Sequence, residues 1–139
     1  MSIVRVHNFS ISLDGFGSGE PQSHDAPFGH AGQRLHEWMT ATRFWHEMVG
    51  EPGGTRGLDD AFARLHEPGI GAEIMGAAMF GLHTFPDDPD WRGWWGEQPP
   101  FGCPVYVLTH GGPRESIPMA GGTTFHFLDA TPAEALHVA

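Results

Sequence analysis

Residues 104–128, PVYVLTHGGPRESIPMAGGTTFHFL, decide the reading of the fold. Pro104 to Thr109 and Thr123 to Leu128 are short runs of valine, tyrosine, threonine and phenylalanine, residue types that suit a pleated, half-buried surface. A glycine- and proline-rich connection separates them, so two strands are predicted. Working outward, IGAEIMG at 70–76 is short, apolar and closed by glycine, which favours a buried strand over a helix. The AAMFG that follows can start a helix. At the N-terminal end, Ile3, Val4, Val6 and Phe9 predict a further strand over Ile3 to Phe9, broken by the turn formers Ser12, Leu13, Asp14 and Gly15. At the C-terminal end, Thr131, Pro132 and Glu134 supply an N-cap, a first-turn proline and a capping-box partner, so a helix begins there.

Between the first two predicted strands the period changes from two to about 3.6. Leu35, Trp38, Met39, Thr42 and Trp45 recur at three and four, which predicts one helix over Gln33 to Met48 that packs by that face. After the breaker EPGG at 51–54, Leu58, Ala61, Phe62 and Leu65 repeat the spacing, and Asp59 and Asp60 suit the N-terminus of a second helix. Residues 15–32, with Gly15, Gly17, Gly19, Gly29 and Gly32, read as a long loop over a site. Residues 86–100 read as a loop anchored by Trp91, Trp94 and Trp95. Strands alternating with helices predict an α/β layer fold with a mostly parallel central sheet, a single domain over residues 1–139.

Composition narrows the function classes. Seven basic residues, all arginine and none clustered, face seventeen acidic ones for a net charge of −10. A nucleic acid or an anionic membrane surface would be repelled, so neither is an expected partner. No stretch approaches the ~18 apolar residues of a membrane span. Cys103 is the single cysteine and has no internal disulfide partner, which fits a reducing, cytoplasmic setting.

The chemistry-bearing side chains give few complete motifs. His36, His46 and His66 each precede glutamate, but Thr40, Gly50 and Ile70 stand where HExxH needs its second histidine, so no metal site is expected. Ser10 and Ser12 lack a nucleophile elbow, and Cys103 reads as a small packed hydrophobe. The strand ends are more informative. Gly76 closes one predicted strand, and Thr109, His110 and Gly111 follow another. In parallel sheets such ends face the ligand crevice, although a plain tight turn at Gly76 is an open alternative. Trp38 suits either core packing or a cleft wall.

HNFSISLDG at 7–15, PFGHAGQRLHEW at 27–38, EIMGAAMFG at 73–81, PVYVLTH at 104–110 and GGTTFHF at 121–127 occur in an order that resembles the dihydrofolate reductase superfamily, specifically proteins like the reductase (RibD C-terminal) domain of riboflavin biosynthesis. The resemblance implies a dihydrofolate-reductase-like three-layer fold. It also implies an NADPH-dependent reductase that passes hydride to a pterin-like or other small heterocyclic substrate. By position, Ser12, Gly15 and Gly17 would run beside the nicotinamide. Asp14 would be the catalytic carboxylate that orients substrate or relays a proton, with Trp38 on the substrate side. Gly76, Ala77 and Ala78 would form the phosphate-binding turn, and Leu108, Thr109 and His110 would lie near the adenosine phosphate. Relatives carry arginine after the glycine equivalent to Gly76, where this chain has Ala77 and Ala78, so weaker cofactor binding is expected. Relatives also continue past the helix that begins at Thr131, so the resemblance implies a C-terminally shortened sheet with exposed edges. The alternative is a non-catalytic binding or assembly module that completes its sheet as a homo-oligomer.

Overall fold

In the computed structural model, residues 3–6, 9–66 and 69–139 are described. The chain divides into two compact units, Met1–Pro68 and Gly69–Ala139.

The second unit is built on one sheet. Strands β1 (Glu73–Gly76), β2 (Pro104–Leu108), β3 (Ile117–Pro118) and β4 (Thr124–Leu128) lie in the order β1-β2-β4-β3. The β1/β2 and β2/β4 pairings are parallel, and β3 runs antiparallel to β4 at the edge. The sheet is therefore mixed, and the chain is α/β. Side chains alternate along β2: Val105 and Val107 are fully buried while Tyr106 and Leu108 are only partly so. Phe125, the register partner of Val105, is also fully buried. Phe80, from helix α4 (Ala77–Phe80), meets Phe125 edge-on at 4.9 Å and Phe127 at 5.2 Å. Helix α4 ends at Gly81, whose φ of 96° is left-handed, and a Cβ there would fall 2.7 Å from a Trp91 ring atom. Glycine is needed on both counts. Trp91 is a buried anchor whose Nε1–H donates to the Phe80 carbonyl at 2.9 Å. Helix α5 (Pro132–Val138) starts with the predicted capping box between Thr131 and Glu134.

The predicted strand over Ile3 to Phe9 is not observed. Residues 3–6 and Phe9 carry no strand, their apolar side chains are exposed, and His7 and Asn8 lie outside the described residues. The fourth strand is instead Ile117–Pro118, within what reads as a plain connection. It pairs with β4 because the chain reverses tightly through Gly121 and Gly122, both at positive φ, with the Met119 amide donating to the Thr123 carbonyl at 2.9 Å.

The first unit departs further from the sequence pattern. The helix predicted over Gln33 to Met48 is three pieces: a 3₁₀ segment (Gly32–His36), α1 (Glu37–Thr40) and α2 (Arg43–Met48). The break falls at Thr42, which is extended (φ −75°, ψ 156°) and caps α2 by accepting from the Trp45 amide at 3.1 Å. Its hydroxyl also donates to the Met39 carbonyl at 2.6 Å, and its backbone forms a parallel bridge with Thr55. Capping and bridging at a β-branched residue prevail over helix continuation. Among the described residues of this region the buried aromatic is Phe44, outside the predicted stripe.

Helix α3 (Leu58–Ala63), which continues as a 3₁₀ turn over Arg64–His66, is rotated relative to its predicted face. Leu58 and Phe62 are 74% and 54% exposed and Leu65 is exposed, whereas Asp60 and Ala63 are buried. Charge pairing accounts for the turn. The Asp60 carboxylate accepts the Phe44 amide at 2.6 Å and Arg64 Nε at 3.1 Å, and Arg64 Nη2 reaches Glu47 at 2.8 Å, which also pairs with Arg43 at 2.9 Å. Seating Asp60 at the N-terminus of α2 satisfies an otherwise unpaired amide and suits the helix dipole.

Among the described residues, no helix is long and apolar enough to cross a membrane.

Candidate functional site

Parallel pairing of β1 with β2 sets Gly76 opposite Leu108, so both strands end at one level of the sheet. The chain leaves β1 at Gly76 directly into α4 and leaves β2 through Thr109, whose amide donates to the Leu128 carbonyl at 2.9 Å. Beyond these two ends is a cleft of about 690 Å³. Gly76, Ala77, Ala78, Leu108, Thr109 and His110 all line it, so six residues marked in the sequence converge within the second unit. Leu82, His83, Pro86, Asp87, Gly111 and Arg114 complete its wall.

Local bonds shape the cleft. Thr109 is buried and its hydroxyl accepts the Gly111 amide at 3.1 Å, which folds the chain back just after β2. His110 Nδ1 pairs with Asp129 Oδ1 at 2.8 Å. Arg114 is held by donation from Nη2 to the Pro86 carbonyl at 2.7 Å. A Cβ on Gly76 would meet nothing within 4 Å, so its backbone lies open. The wall is thus largely apolar, with one arginine and two imidazoles against the single carboxylate of Asp87. Such a surface accepts a flat apolar body with a polar end.

Arg114, His83 and Asp87 were not marked by the sequence. Arg114 occurs singly in GGPRES, and the only available signal was its place in the connection leaving a strand's carboxyl end.

The remaining marked residues belong to the first unit. Ser12, Asp14 and Gly15 share one turn: the Ser12 hydroxyl donates to Asp14 Oδ1 at 2.6 Å and accepts the Phe16 amide at 3.0 Å, and Gly15 has a φ of 91°. The bond from Ser12 holds the exposed Asp14 carboxyl below the usual aspartate range. At neutral pH it is therefore an anion that orients cationic or N–H groups rather than a proton donor. Gly17 follows the turn. Trp38, on α1, is half-buried and its Nε1–H donates to the Ser10 hydroxyl at 2.9 Å, tying α1 to the segment that leads into the turn.

Cys103 is buried, and burial followed by the nearby Glu73 charge pushes its thiol pKa up, which leaves it a poor nucleophile. Among the described residues no three His, Cys, Asp or Glu side chains group to hold a metal ion. Compared with protein-family models and with curated proteins, the chain matches none of them.

Proposed function

We propose that the chain is an NADPH-dependent reductase of the dihydrofolate reductase superfamily, similar to the riboflavin biosynthesis reductase domain and acting on a pterin-like or other small heterocycle. The observation that supports this most is the convergence of Gly76–Ala78 and Leu108–His110 on one cleft at the carboxyl ends of two parallel strands. The residues present suit a nucleotide. The uncovered Gly76 backbone permits close approach, Ala77, Ala78 and Leu82 offer an apolar bed, and Arg114 supplies a cation for phosphate in a chain of strongly negative charge. When bound, NADPH supplies the hydride. The chain's own contribution is to hold the nucleotide by these groups; the resemblance assigns the orienting of the substrate to Asp14 and Trp38.

Titration with NADPH, followed by nicotinamide fluorescence, tests this reading. Saturable binding is expected, weakened about tenfold in Arg114→Ala, in line with the loss of one charge-assisted contact. Absence of saturation at millimolar NADPH would overturn it. One observation favours the assembly reading instead: among the described residues β1 is an edge strand paired only with β2, and Ile3, Val4, Val6 and Phe9 are exposed. A monomeric mass in light scattering at every concentration would remove that alternative.

A further inference from the structure

Apart from the cleft, the second unit carries a smaller groove of about 300 Å³, with room for a substituted ring. Trp91, Ile117 and Phe127 give it an apolar wall. Arg92 and Arg114 give it a cationic one. The Arg114 guanidinium carbon lies 5.9 Å from the Phe127 ring centroid, and the bond to the Pro86 carbonyl fixes the group while leaving most of its donors open. Among the described residues neither arginine pairs with a carboxylate, although acidic residues outnumber basic ones seventeen to seven. Glu115 also lines the groove, so two guanidiniums face one carboxylate and the balance is positive.

We propose that this groove binds a small, flat molecule bearing a carboxylate. The forked guanidiniums match a carboxylate in geometry and charge, and the apolar wall of Trp91, Ile117 and Phe127 suits a ring. Arg114 lines both the groove and the cleft, whereas Arg92 lines the groove alone, so Arg92 separates the two sites. The proposal does not rest on the reductase reading.

Benzoate, benzamide, acetate and inorganic phosphate are the probes, titrated against the full chain by tryptophan fluorescence and by chemical shifts of Ile117 and Phe127. Benzoate is expected to saturate in the millimolar range, at least about tenfold more tightly than acetate or the neutral benzamide. Arg92→Ala is expected to weaken benzoate about tenfold and leave NADPH titrations unchanged, and because Arg92 is exposed the variant should fold. Arg92→Lys, which keeps charge but loses the fork, should fall between. Benzoate binding unchanged in Arg92→Ala, or benzamide or phosphate binding as tightly as benzoate, would overturn the proposal.

Discussion

Each of the two units is stabilised internally by a different force. The second unit is organised by apolar burial: Met75, Phe80, Leu82, Trp91, Val105, Val107 and Phe125 form one cluster, and the sheet presents it. Among the described residues of the first unit the buried hydrophobic side chains are Phe44 and Ala63, while Leu58, Phe62 and Leu65 face solvent, and α2 and α3 are joined through Asp60, Arg64 and Glu47. Apolar periodicity is a trustworthy guide where burial is the dominant force. Where a carboxylate seated on a helix terminus sets the orientation, it misleads.

The sharpest way to break this comparison is to remove a large apolar side chain from each unit. Phe125→Ala should destabilise the second unit by about 3–5 kcal/mol, read by chemical denaturation, because a fully buried ring leaves a cavity. The next largest effect is expected at Gly81→Ala. Left-handed strain of about 1–2 kcal/mol adds to the cost of displacing the Trp91 and Trp94 rings, and slower folding or a lowered Tm would report it.

In the first unit the sensitive group is a carboxylate. Burial pushes the Asp60 carboxyl up, but the Phe44 amide and Arg64 outweigh it and hold its pKa below the ordinary 3.8. Hydrogen bonds from Arg43 and then Arg64 hold Glu47 below 4.5. Groups with lowered folded values contribute stability that is fully present above 4.5 and is lost as pH falls through the lowered values. The protection factor of the Phe44 amide, its exchange referred to the intrinsic rate at the same pH, should therefore fall below about pH 4, and Asp60→Asn should lower it already at neutral pH. Protection of Val105 and Val107 should stay unchanged in both experiments. The smallest effect is expected at Phe62→Ser, within about 0.5 kcal/mol of wild type, because the ring is exposed. A loss comparable to that of Phe125→Ala would show that the apolar face of α3 is covered in solution.

Local signals were legible without coordinates. The β-prone runs PVYVL and TFHFL, the glycine that closes EIMG and the Thr131/Glu134 capping box each involve near neighbours in the chain, and each appears in the structure where its residues predict. The strand ends marked Gly76, Thr109, His110 and Gly111 of the cleft for the same reason: a strand end is a local event, and parallel pairing then brings two such ends to one level, whereas Ala77, Ala78 and Leu108 came from the resemblance. The interruption at Thr42 depends on Thr55, the rotation of α3 on the Phe44 amide, and the entry of Arg114 into the cleft wall on the Pro86 carbonyl. Only the tertiary structure decided those three, because each is a hydrogen bond between residues more than ten positions apart, and side-chain periodicity carries no record of such a partner.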